Sequence, residues 1–239
     1  MRQWLFRWLP VMMVGGLLVG TATAFALTEE LKLQKSALTK THVTKVFSPT
    51  CRCATRAAHI QFVLRRPGLV TVQILDARQE VVTVLGAGRR MTGVARYLWD
   101  GKTSSGASAH DGRYAVSVHV QNSRTYLLPN RISLDTSPPR LAAAMINRTV
   151  FSLSKGKNRI SIKVSYRLTE PAHAVLYLNG EKILGPTYRH RIMGVLAWNG
   201  VVHGRHLPRG EYVLEIGGID VAGNPTPAKE RAKIRFLIR

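Results

Sequence analysis

Acidic residues are scarce in this sequence: 13 Asp and Glu stand against 35 Lys and Arg over 239 residues, giving a formal charge of +22. Several of these acids, Asp100, Asp111 and Asp220, sit in turn motifs, where short polar side chains bond their own backbone. A hydrolase or transferase of cell-wall glycans needs two carboxylates facing a cleft, and the sequence offers no such pair. Gly-x-Ser-x-Gly, His-Glu-x-x-His and phosphate-cradling Gly-rich loops are also missing, which removes the common signatures of serine hydrolases, zinc proteases and nucleotide enzymes. The densest histidine cluster, His203-Gly204-Arg205-His206, has no carboxylate close by in sequence and reads as a solvated loop. No catalytic residue, cofactor or metal is assigned, and the chain reads as a non-enzyme.

Cysteine is nearly absent as well. The only two, Cys51 and Cys53, lie one residue apart in Thr50-Cys51-Arg52-Cys53. Outside the cytoplasm a disulfide is the default state of such a pair. A bridge over a single residue is strained, because residues two apart in an extended strand approach the upper limit of Cα separation. Free or intermolecularly paired thiols, or a metal with His59 as the one nearby extra ligand, therefore stay open as alternatives; a zinc site normally needs four ligands.

After residue 27 no long apolar run occurs, but before it there is one. Between Trp8 and Leu27 no residue is charged; Arg2 and Arg7 precede the run, and Glu29 and Glu30 follow it. At about 1.5 Å per helical residue such a stretch spans a bilayer, and the leading positive charge predicts an N-terminus inside and the bulk outside. Ala22-Thr23-Ala24 and Ala24-Phe25-Ala26 have the small-x-small form of a cleavage site. The expectation is a single-pass membrane anchor over 1–27, with secretion after cleavage as the alternative. The remainder is exported either way.

That remainder is basic throughout, with an isoelectric point near 11.1, yet 45% of the chain is hydrophobic, enough to bury real cores. A positive field attracts anionic partners. No local block of like charge marks one patch in the sequence.

From Thr28 the chain is polar and rich in helix formers, and residues 28–45 read as a juxtamembrane stalk. From Val46 onward short alternating runs are broken by Gly, Pro and Asp, the pattern of an all-β domain. The pattern then repeats. Val46-Phe47-Ser48 returns as Val150-Phe151-Ser152, Ile60–Leu64 as Ile162–Tyr166, and Val70–Ile74 as Ala174–Leu178. Trp99-Asp100-Gly101 corresponds to Trp198-Asn199-Gly200, and Asp111-Gly112-Arg113-Tyr114 to Arg209-Gly210-Glu211-Tyr212. Between the copies, Asp135-Thr136-Ser137-Pro138-Pro139 is a short linker held extended by its prolines. Domain 1 is placed at 46–137 and domain 2 at 138–239.

Asp-Gly or Asn-Gly after a strand accepts positive φ cheaply and marks a tight turn. Trp99 and Trp198 then plug the space between two sheets, and Tyr114 and Tyr212 start the returning strands beside them. This arrangement resembles the bacterial Ig-like domain of the flagellar hook-capping (FlgD/Vpr-type) family, also found as a tandem module in cell-surface proteins. The likeness lies in Phe47-Ser48-Pro49, Val70 through Asp76, Trp99-Asp100-Gly101 and Asp111-Gly112-Arg113-Tyr114. The second copy keeps Trp198, Gly200, Gly210 and Tyr212 and adds Asp220-Val221-Ala222-Gly223-Asn224, which looks like the closing turn of many bacterial Ig-like repeats. Nothing resembles the rest of a hook-capping protein, so no flagellar role follows.

The expected protein is all-β: two Ig-like antiparallel β-sandwich domains in tandem after an N-terminal transmembrane or signal helix. Its expected function is non-catalytic binding or scaffolding outside the cytoplasm, tethered to the cell membrane and contacting an anionic envelope polymer or another envelope protein. The alternatives are an accessory or catalytic part in cell-wall polysaccharide metabolism, or surface nucleic-acid binding, which would need clustered basic and exposed aromatic residues.

Overall fold

The computed structural model describes residues 12–23, 25, 36–152, 161–185 and 189–239. Residues 12–23 form a helix, in which the Thr21 and Thr23 hydroxyls donate to carbonyls three and four residues back. No helix among the described residues is long and apolar enough to cross a membrane. Residues 8–11, 24, 26 and 27 of the apolar run read from the sequence, and residues 28–35 of the stalk, lie outside the described residues.

Seven strands build the first domain: β1 (Leu38–Val43), β2 (Val46–Phe47), β3 (Ala58–Leu75), β4 (Val81–Trp99), β5 (Gly112–Val120), β6 (Thr125–Leu127) and β7 (Ile132–Leu134). Among its described residues, nine build the second: β8 (Leu141–Ile146), β9 (Val150–Phe151), β10 (Ile162–Leu178), β11 (Glu181–Leu184), β12 (Arg191–Trp198), β13 (Val201–Val202), β14 (Arg205–His206), β15 (Gly210–Ile219) and β16 (Ala232–Ile238). Each domain closes its own core, one around Phe47, Phe62, Trp99 and Ile132, the other around Ile162, Leu168, Trp198 and Phe236.

The long strand β3 serves both layers of its sandwich. Its first half pairs with β1 and with the end of β4, from Ala58↔Trp99 to Leu64↔Gly93; its second half pairs with β5 and with the start of β4. Register breaks between Leu64 and Gly68, where the strand pair turns over. Inward residues alternate on both halves, with Ile60, Phe62 and Leu64, then Val70, Val72 and Ile74, all buried, as a half-buried strand requires. In the second domain β10 has the same division, pairing first with β8 and β12, then with β15 and β11. The repeated segments of the sequence thus occupy equivalent places.

Most pairings are antiparallel, but two short ones are parallel. Val46-Phe47 of β2 lies parallel to β7, and its repeat Val150-Phe151 of β9 lies parallel to β16. A second departure concerns the stalk. Residues 38–43, assigned above to a juxtamembrane stalk over 28–45, form β1 and are part of the first sheet. A register shift between Thr39 and His42, with Lys40 at φ 48°, places Leu38 and Val43 on the same inner face. The offset breaks simple alternation, so the strand carries no two-residue signature.

Candidate functional site: the junction between the domains

The recurring tryptophans and tyrosines are structural devices in both copies. Trp99 is 1% exposed and packs against Phe47 and Tyr114 at ring separations of 5.3 and 4.8 Å. Trp198 and Tyr212 both pack on Phe236. Each indole N–H donates to the carbonyl three residues on, Lys102 or Val201. The turns between are built alike: Asp100 and Asn199 accept the backbone N–H two residues later, and Gly101 and Gly200 take φ of +82° and +76°. Tyr114 and Tyr212 each donate their hydroxyl to the carbonyl four residues back, His110 and Pro208. Gly112 and Gly210 begin the strands these tyrosines sit on. Trp99, Tyr114 and Trp198 are buried in this packing, and Tyr212 is half-buried.

Asp111, expected only to shape a turn, does more. Its carboxylate accepts the Thr136 backbone N–H, the Thr136 hydroxyl and the Ser137 hydroxyl, clasping the linker to domain 1. The linker then meets domain 2 through two buried side chains. Asn224 donates Nδ2–H to the Asp135 carbonyl at 2.9 Å, and Thr226 donates its hydroxyl to the Pro139 carbonyl at 2.6 Å.

The cysteines belong to the same junction. Cys51 and Cys53 are joined in a disulfide with a Cα separation of 5.3 Å, and the loop they stiffen leans on the closing turn of domain 2. Thr55 donates its hydroxyl to the Ala222 carbonyl at 2.7 Å. Gly223, at φ +96°, faces the two sulfurs with no room for a side chain. Asp220 holds that turn from within, accepting from the backbone of Gly223 and Asn224 and from Asn224 Nδ2.

Three carboxylates converge here. Asp135 of the linker, Glu170 on β10 and Asp220 bring one oxygen each to within 4.8 Å of the others. Burial, followed by the charges of its neighbours Asp220 and Asp111, raises the Asp135 pKa against the bond from Ser137 N–H. Burial also raises Glu170, with the charges of Asp135 and Asp220 adding to it. The sequence reading placed no carboxylates together; these three are separated by 35 and 50 positions, and only the tandem fold gathers them. Oxygen clusters of this kind can hold a hard cation. Asp220 is also engaged in its own turn, where it accepts from the backbone of Gly223 and Asn224 and from Asn224 Nδ2. Nearby, the rings of His173 and His190 stand 3.7 Å apart, and burial and the His173 charge lower the His190 pKa. Elsewhere, a groove of about 720 Å³ beside Trp198 is lined by Ser161, Leu184, Asn199 and His206, with no carboxylate among the described residues that line it.

Comparison with known proteins gives a family match to part of the first domain. Residues 54–124 match the FlgD Ig-like domain family. No curated protein matches the chain. Among solved structures, a three-Ig fragment of titin is 11% identical, over 86% of this chain and 66% of that one, at a TM-score of 0.38. Murine CEACAM1b is 14% identical over 83% of this chain and 100% of its own, at 0.31. The BSP domain of a biofilm associated protein is 9% identical over 84% of this chain, at 0.28, and the chain spans only 29% of its length.

Proposed function

We propose that this Ig-like tandem, whose first domain is of the FlgD type, is a non-catalytic strut that works outside the cytoplasm, tethered by its N-terminal apolar segment and presenting its domains to an anionic envelope polymer or an envelope protein. The observation that carries this reading is the junction. Hydrogen bonds from Thr55 and Asn224, and the disulfide loop seated on Gly223, tie one sandwich to the next, and Thr226 holds the end of the linker. A flexible string of modules needs none of these contacts.

The path of the chain supports the same reading. It enters domain 1 at Ser36, at the end of the sandwich where Arg65 donates to the Ser36 carbonyl. It leaves at the opposite end, where Asp111 clasps the linker. Domain 2 repeats the arrangement, with Thr169 N–H bonded to Arg140 at its start as Arg65 N–H is bonded to Ala37 in domain 1. Domains threaded in this way extend in series.

A reporter fused after Arg239, assayed together with membrane fractionation, tests the proposal. Activity only outside the cytoplasm, with the chain retained in the membrane fraction, is the expected result. Activity only inside would overturn the exported strut. Release into the soluble extracytoplasmic fraction would overturn the tether alone.

A further inference from the structure

The end of domain 1 at which the chain enters carries five exposed arginines and no acid. Arg65 and Arg66 lie where β3 turns over, Arg89 and Arg90 lie on the strand paired with it, and Arg124 lies in the neighbouring β5–β6 turn. The register fixes their company: Leu69 pairs with Arg90 and Val70 with Arg89, and Gln121 N–H bonds to the Leu69 carbonyl. The point of entry is woven into the same surface. Arg65 bonds to Ser36 and Ala37 through side chain and backbone, and Ala37 N–H donates to the Tyr126 hydroxyl. Arg124 lies over the ring of that tyrosine, 5.1 Å from its centroid.

The five acids of residues 36–137 all lie at the far end. Asp76 and Glu80 close the β3–β4 turn, Asp100 follows Trp99, Asp111 clasps the linker, and Asp135 is in it. Arg52, Arg56, Arg78, Lys102 and Arg113 offset those acids at the far end, so the positive charge of domain 1 stands unopposed only at the entry end, although its composition reads as evenly basic. The repeat sharpens the contrast. Where domain 1 turns over with Arg65-Arg66-Pro67, domain 2 turns over with Thr169-Glu170-Pro171. The second turn faces domain 1, whereas the first faces whatever precedes it.

From this we infer that the arginine end of domain 1 is a docking surface for a bilayer rich in acidic phospholipid, seating the strut on the membrane that its N-terminal segment enters. The inference rests on the tethered reading above. Chain length supports it: eight residues, or nine steps along the chain, separate Leu27, the end of the apolar run, from Ser36. They reach about 30 Å when extended and about 14 Å when helical. Glu29 and Glu30 in that stretch are matched by Lys32 and Lys35, so the segment itself brings no net charge to oppose the contact. An anionic leaflet attracts basic groups only within about a Debye length, roughly 8–10 Å. Each arginine that reaches it multiplies the docked population by about fivefold. Arginine forks also suit phosphate oxygens.

The full chain, placed in lipid nanodiscs of phosphatidylcholine alone or mixed with phosphatidylglycerol, provides the test, with hydrogen exchange read at the turn 121–124 and along 86–93. Exchange there is expected to slow in the anionic discs only, and to recover at high salt. The variant R66Q/R89Q/R90Q leaves the Arg65 and Arg124 contacts in place and should lose the effect, the docked-to-undocked ratio falling by about a hundredfold. The variant K163Q/K182Q/R205Q, with equal charge removed from domain 2, should keep it. Equal loss in both variants would overturn the docking surface in favour of general charge. Unchanged exchange in both lipids, with the chain retained in the discs, would overturn the docking surface and leave the tether standing. A chain lost from neutral discs but held by anionic ones through these arginines would overturn the tether and uphold the surface. Equal slowing by soluble polyphosphate in detergent would overturn the commitment to a bilayer.

Discussion

Replacing Gly223 by alanine should loosen the two domains from each other while leaving both cores folded. The added Cβ would fall inside contact distance of Cys53 Sγ and within 3.0 Å of Thr55 Oγ1 and 3.4 Å of Cys51 Sγ. The disulfide denies those sulfurs the freedom of a flexible side-chain end, so the loop must move as a body. At φ +96° an alanine also carries a backbone cost of about 1–2 kcal/mol. Once the loop moves, the bond from Thr55 to the Ala222 carbonyl is lost, worth about 0.5–1.5 kcal/mol. The total is about 2–3 kcal/mol, charged to the junction. Thr55→Val removes the bond without the clash and should cost only the smaller part. Hydrogen exchange resolves the two: amides of residues 50–55 and 220–226 should exchange faster in Gly223→Ala, by roughly tenfold or more, while those of β3 and β10 stay as they were. Unchanged exchange at 50–55 would show that the disulfide loop does not rest on domain 2, and the strut would lose its main support.

Trp99→Ala should cost about 3–5 kcal/mol, the range for deleting a buried large aromatic, measured by denaturant unfolding; a loss below about 1 kcal/mol would mean that the indole is exposed in solution. Asp111→Ala removes the acceptor for the backbone and side-chain donors of Thr136 and Ser137 and should cost about 1–3 kcal/mol, with faster exchange at Thr136 and Ser137 as its local sign. Glu170→Gln should stabilise the chain at neutral pH. Burial and neighbouring acids raise the Glu170 pKa in the folded state, so the folded chain binds the proton more tightly than the unfolded one. Stability is therefore lowest above the folded pKa and rises as pH falls through the carboxylate range. The gain in melting temperature of Glu170→Gln over the parent should shrink as pH falls; a gap independent of pH would remove the charge explanation.

The all-β class, the repeat and the aromatic turns were legible in the sequence because they are local. A two-residue period, a Trp followed by Asp-Gly and a Tyr two residues beyond a Gly all act within a few positions of themselves. Strand β1 was illegible because its register shift hides the alternation between Leu38 and Val43. The carboxylate cluster and the arginine end were hidden for another reason. Arg65, Arg89 and Arg124 come together only because β3 turns over and brings β4 and the end of β5 to one place, and no window along the chain contains them. Asp220 was seen as part of a closing turn, but its neighbours Asp135 and Glu170 belong to segments that only the docking of the domains unites.

The parallel pairing of β2 with β7, repeated by β9 with β16, gives the strut a mechanical grain. β2 lies near the start of domain 1 and β7 leads directly into the linker, so a pull along the chain slides these strands past each other. Their hydrogen bonds then share the load together instead of opening one at a time. Rupture under such a pull is governed by the unfolding rate, not by equilibrium stability. Tension along the chain would thus meet resistance at these two short pairings well beyond what their four residues apiece suggest.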